Sequence, residues 1–232
     1  MRTYRLEIRL LQLAIVLSTI ILVGGFLGWS FPTGQTAKRD GASVNGAASG
    51  AQGAAAGIAK IVALGDSFTF GYPGGPDKSW TKRLADNLHV TVVNKGKIQQ
   101  TSKDLLERFE RDVASERPDL VIIFVGAGDA LQGSSLADFQ TSIKAMVEKA
   151  RANHVTPVLA LPLAFPGVEQ AIKAMREWEE SYAKEQRVLV LDFGSILFDA
   201  QGKYLKGFTA DGKYPSAKGY EAMGDYAARV LR

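Results

Sequence analysis

Five short runs of aliphatic and β-branched residues, spaced almost evenly along the chain, constrain its fold more than any other feature. They fall at residues 60–64, 90–94, 120–125, 155–161 and 188–191. Each is close to continuously apolar, the pattern of strands buried on both faces of a parallel sheet. Between them lie stretches with helical character at 78–88, 101–115, 135–153 and 168–186, and one more at 216–231 closes the chain. In the second of these, Leu105, Leu106, Phe109 and Val113 recur at helical spacing behind Ser102, and Pro118 ends the segment. Regular alternation of strand and helix predicts an α/β domain over residues 58–232, a doubly wound five-stranded parallel sheet.

The first 57 residues are of another kind. Residues 1–9 carry Arg2, Arg5 and Arg9 against Glu7, and residues 10–31 then hold no charge. A helix of that length, rising about 1.5 Å per residue, spans a hydrocarbon core of roughly 30 Å. The apolar region of a cleaved signal peptide is shorter, about 7–15 residues, and Gly28-Trp29-Ser30-Phe31-Pro32 makes a poor cleavage site. An uncleaved transmembrane anchor is therefore expected at 10–31. The arginines before it predict a cytoplasmic amino end and an extracytoplasmic carboxyl-terminal domain at the cell membrane. Residues 32–57 are dominated by Gly, Ala, Ser, Thr and Asn and read as a flexible linker. The net charge of +4 sits mostly here, because residues 1–40 contain five basic and two acidic groups. The body is left near neutrality, which argues against a nucleic-acid partner. There is no cysteine, so disulfides and thiolate metal sites are excluded.

Ligands of such sheets bind outside the carboxyl ends of the strands. The first strand runs into Gly65-Asp66-Ser67, the second into Asn94-Lys95-Gly96 and the third into Gly126-Ala127-Gly128-Asp129. Asp211-Gly212-Lys213-Tyr214-Pro215-Ser216 precedes the last helix. Together these segments resemble the SGNH (GDSL) hydrolase family of serine esterases, lipases and carbohydrate acetylesterases. The resemblance implies a flavodoxin-like sheet, Ser67 as nucleophile, and an oxyanion hole built from the N–H groups of Ser67 and Gly96. Asn94 to Gly96 reads equally well as a plain strand-ending turn. The resemblance calls for no cofactor, and no cluster of His, Asp and Glu suggests a metal.

Two positions depart from the family pattern. Where the family has Gly-x-Asn-Asp after the third strand, this chain has Gly128 in place of the Asn donor. Where it has Asp-x-x-His-Pro, Tyr214 stands at the His, with Asp211 left at the orienting acid. An imidazole with an ordinary pKa of about 6.5 accepts the serine proton, whereas a phenol near 10 holds its own at pH 7. The only two histidines, His89 and His154, lead into strands and belong at the opposite edge of the sheet. Trp80 and Trp178 read as packing residues. Phe68, Phe70 and Tyr72 either line an apolar ligand pocket or cap the sheet. Lys203, Lys206 and Lys213 either attract an anionic substrate or, as the plainer reading, form a solvated basic loop. Two functions stand: an acyl or acetyl ester hydrolase with feeble or no turnover on lipid, glycan or small esters, or a non-catalytic module binding an envelope ligand or partner.

Overall fold

A computed structural model describes residues 57–232. The expected anchor at 10–31 and, except for Gly57, the linker at 32–57 lie outside the described residues. Among the described residues no helix is long and apolar enough to cross a membrane.

The chain forms β1 (Lys60–Gly65), α1 (Ser67–Phe70), α2 (Trp80–Leu88), β2 (Thr91–Gly96), α3 (Ser102–Glu107) and α4 (Phe109–Asp112). It continues through β3 (Leu120–Phe124), α5 (Ala127–Gln132), α6 (Leu136–Ala152), β4 (Thr156–Ala160) and α7 (Glu169–Gln186). It ends with β5 (Leu189–Leu191), α8 (Gly194–Leu197) and α9 (Ala217–Leu231). The five strands are all parallel, in the order β2-β1-β3-β4-β5. This is the doubly wound sheet read from the sequence.

Side chains alternate across each strand and feed two cores. Ile61, Ala63, Ile122 and Phe124 point to one face, where Trp80 and Leu84 of α2 and Met223 and Ala227 of α9 cover them. Val62, Leu64, Val121 and Ile123 point to the other, against Leu105, Phe109, Ile143 and Met146. All of these side chains are fully buried or nearly so. Trp80 is the packing residue expected of it, and Trp178 packs on Phe139 and Tyr182.

Two elements differ from the sequence expectation. β2 continues past Asn94, with Lys95 paired to Leu64 and Gly96 to Gly65. The expected helix at 101–115 divides at Arg108 into α3, α4 and a 3₁₀ turn, Ala114–Glu116. The break turns the Arg108 side chain inward, where it is 5 % exposed. Its guanidinium donates to the carbonyls of Gly65 (3.0 Å) and Lys95 (2.8 Å) and pairs with Asp112 at 2.7 Å. One buried cation thus ties together the carboxyl ends of β1 and β2, directly beneath the turn that carries Ser67.

β1 is the point where strand order reverses, with β2 on one side and β3 on the other. The crevice at such a reversal is where open α/β sheets hold their ligands. The residues after β1, β2 and β3 therefore define the place to look.

Candidate active site

The serine turn is rigid. Asp66 leaves β1 with its N–H on the carbonyl of Phe124, and its carboxylate caps α1 by accepting the N–H of Phe68 at 3.0 Å. Burial pushes the Asp66 carboxyl up to about 7. Phe68 is 1 % exposed and packs on Phe124 and Phe165, which locks the short helix to the sheet. Of the two readings of Phe68, packing is the one the structure supports. Tyr72, 37 % exposed, lines the surface beside Tyr214 instead. Ser67 opens α1, and its own N–H has no hydrogen-bond partner among the described residues.

The second backbone donor facing the serine is not at Gly96. The Gly96 N–H is taken by the Asn94 side chain at 2.8 Å. Gly96 belongs to β2, and a Cβ there would overlap the backbone nitrogen of Phe70. It is a glycine because α1 lies against it. Asn94 adds to that packing, donating to the carbonyl of Thr69 and the hydroxyl of Thr81. The peptide N–H that reaches the Ser67 hydroxyl belongs to Gln99, at 3.0 Å. Gln99 adopts φ +61°, a left-handed conformation uncommon for a residue with a side chain. Sequence reasoning missed it because a donor made from a peptide bond leaves no side-chain signature.

The third donor position is filled differently again. A Cβ on Gly128 would overlap the carbonyl of Gln100. The loop after β2 has closed over the space that a side chain at 128 would need. Asp129 beside it is 1 % exposed and accepts the N–H (2.8 Å) and hydroxyl (2.6 Å) of Ser102, anchoring the start of α3.

Asp211 and Tyr214 do come to this edge of the sheet, but not as an acid–base pair. One oxygen of Asp211 accepts the N–H groups of Lys213 (2.8 Å) and Tyr214 (2.9 Å). Slight burial works against the ionised form, yet these N–H groups and the Thr209 hydroxyl hold the carboxyl below its ordinary value. The Thr209 hydroxyl shares its one proton between Asp211 at 3.3 Å and the nearer carbonyl of Tyr214 at 2.8 Å and accepts the Gly212 N–H, closing the turn. The Tyr214 ring lies in an aromatic cluster, with centroids 4.7 Å from Tyr72, 5.3 Å from Phe68 and 5.4 Å from Phe165. Its phenol faces Ser67. Burial raises the phenol above its ordinary value, with Asp66 adding to the rise and the Ser67 hydroxyl pulling back. A phenol with its pKa raised keeps its own proton at neutral pH and does not serve as the base. Beside it opens a cleft of about 390 Å³ lined by Pro73, Lys78, Asp211, Tyr214, Pro215 and Tyr220 among others.

No imidazole reaches this edge. His89 caps the end of α2 and His154 precedes β4, both in left-handed conformations at the amino ends of the strands.

Residues 63–222 match the model of the GDSL-like lipase/acylhydrolase family. The chain belongs to that family. It is 30 % identical over 164 residues to esterase TesA of Pseudomonas aeruginosa, covering 67 % of this chain and 79 % of that protein. It is 25 % identical over 127 residues to an acetylxylan esterase of Geobacillus stearothermophilus, covering 50 % of this chain and 57 % of that one. Among solved structures it is similar to a G-D-S-L family protein of Desulfitobacterium hafniense DCB-2. There the identity is 55 %, the TM-score is 0.73, and 74 % of this chain and 98 % of that one are covered.

Proposed function

We propose that this GDSL-family chain is a membrane-anchored, extracytoplasmic protein that receives acyl or acetyl esters of lipid, glycan or small molecules at Ser67 and turns them over feebly or not at all. One observation carries the reading: the group facing the Ser67 hydroxyl is the Tyr214 phenol and not an imidazole.

The chemistry follows from the arrangement. An ester carbonyl placed over the Ser67 Oγ would direct its oxygen to the N–H groups of Ser67 and Gln99. Such donors stabilise the negative charge that forms on attack. For the attack to proceed, the hydroxyl proton must leave. Tyr214 keeps its own proton, and the engaged Asp211 oxygen is already satisfied by backbone N–H groups. Loss of a triad member leaves only about 10³–10⁴-fold acceleration over water, the share of binding and the oxyanion donors. The missing Asn donor at Gly128 removes a further contribution of about 2.7–4 kcal/mol.

A second reading, a non-catalytic binding module on the same fold, is favoured by the packing of Tyr214. Its ring, among Phe68, Tyr72 and Phe165, makes the base's place a fixed apolar wall beside the 390 Å³ cleft. Hydrolysis of short p-nitrophenyl esters separates the possibilities. Wild-type and Ser67→Ala protein are expected to give indistinguishable rates, and a clear Ser67-dependent rate would establish a working esterase. Deletion of residues 1–31 is expected to move the protein into the soluble fraction. Retention on membranes would remove the anchor from the proposal.

A further inference from the structure

The donor that replaces the expected one is an unusual choice. A residue with a side chain sits in the left-handed region, on a loop, with its side chain exposed to solvent. Nothing intrinsic to glutamine favours that conformation, since its Cβ crowds the backbone there. Something outside the residue must hold it. One side chain does so: the amide nitrogen of Gln132, the last residue of α5, donates to the Gln99 carbonyl at 2.7 Å. The Gln99 residue is thus fixed from both sides, its N–H on Ser67 Oγ and its C=O on Gln132.

We infer that Gln132 is a positioning residue for the oxyanion donor: by holding the Gln99 carbonyl it keeps the Gln99 N–H aimed at Ser67. This rests on the reading of Ser67 as the ester-facing atom. The argument is geometric. α5 follows directly from β3, so its end is fixed to the sheet through Ala127 and Ala130, both largely buried. Gly128 in the same helix is what lets the 99–100 segment approach, because a side chain there would strike Gln100. The same helix therefore admits the loop through Gly128 and secures it through Gln132. Position 128 of this helix offers no donor side chain, and the helix acts on the backbone of its neighbour through Gln132.

Hydrogen exchange of the Gln99 amide in the full chain, expressed as protection relative to its intrinsic rate, tests this without depending on turnover. Gln132→Ala is expected to lower Gln99 protection about five-fold, the factor of one ordinary hydrogen bond, while core amides of β1 and β3 stay unchanged. Gln132→Glu is expected to do the same at pH 7, where a carboxylate has no proton to donate. It should regain protection below about pH 4.3, where the acid is protonated and donates again. A merely structural role would not produce that pH profile. In the Tyr214→His background, if turnover appears, Gln132→Ala should lower kcat about five-fold with KM unchanged, the mark of an interaction made in the transition state. Unchanged Gln99 protection in Gln132→Ala overturns the proposal, and so does an equal loss of protection at every amide. If Gln99 protection follows Gln132 as stated but no variant ever acts on an ester, the positioning stands and the ester reading fails.

Discussion

The two halves of this site have had different fates. Around Ser67 the turn, the capping Asp66 and a backbone donor keep the arrangement that an acyl-transfer site needs. Around Tyr214 the side chains and backbone are engaged with one another. Asp211 closes its own turn, and Tyr214 packs among aromatic rings. A motif is held in a chain by every interaction its residues make, and the catalytic one is only one of them. Asp211 accepts the N–H groups of Lys213 and Tyr214 and so has a role in its own loop that needs no imidazole beside it.

The largest test strikes beneath the serine half. Arg108→Met takes a buried donor from the Lys95 and Gly65 carbonyls, leaving Gly65 only the Lys97 N–H, and leaves the largely buried Asp112 only Arg111. Breaking a buried pair in this way is expected to cost about 3 kcal/mol or more in denaturant unfolding. A comparable loss is not expected from any single change in the loop around Asp211.

The halves also differ in the sign of their pH dependence. Asp66 has its carboxyl raised by burial to about 7, against an unfolded value near 4. Its contribution to stability is fully present below about pH 4 and is lost as pH rises towards 7, on the order of 4 kcal/mol in total. Asp66→Asn, which can still cap α1, should flatten that decline. Asp211 is shifted down, so its contribution is present above its unfolded value and is lost as pH falls. Asp211→Asn should remove a small loss at the acid end. Urea titrations from pH 3 to 8 read both, and slopes of the same sign in the two halves would break the comparison.

Restoring the base sharpens it. Tyr214→His is expected to raise Ser67-dependent ester hydrolysis by about 10²-fold, the lower end for a positioned general base. Asp211 retains a second oxygen that makes no hydrogen bond in the described structure and is available to orient the ring. By contrast, Gly128→Asn should not help. The side chain meets the Gln100 backbone, and overpacking of this kind costs about 1–3 kcal/mol. A gain in rate from Gly128→Asn alone would mean that the loop after β2 moves freely, against the geometry described here.

Much of this was legible in the sequence, and the failures share a cause. The five strands declared themselves as short apolar runs, and the central β1, β3 and β4 are the ones buried on both faces. Helices α6, α7 and α9 fall on stretches read as helical between and after the strands. Helices α1, α5 and α8, of four to six residues, are too short to show a period. Asn94-Lys95-Gly96 has the composition of a turn, yet pairing with β1 prevails and carries Gly96 into the strand. Arg108 reads as a solvated charge on a helix, and nothing local announces that three oxygens wait for it inside. Ser67, Asp211 and Tyr214 lie at one edge of the sheet. The donor from Gln99 and the closure over Gly128 depend on where two loops meet, which no residue type encodes.

The central claim is that the Ser67 hydroxyl, facing a phenol, is not activated. Treating the full chain with a fluorophosphonate at pH 7 and reading the intact mass tests it directly. The account predicts no more labelling over several hours than in Ser67→Ala. A prompt, stoichiometric adduct mapped to Ser67 would contradict it.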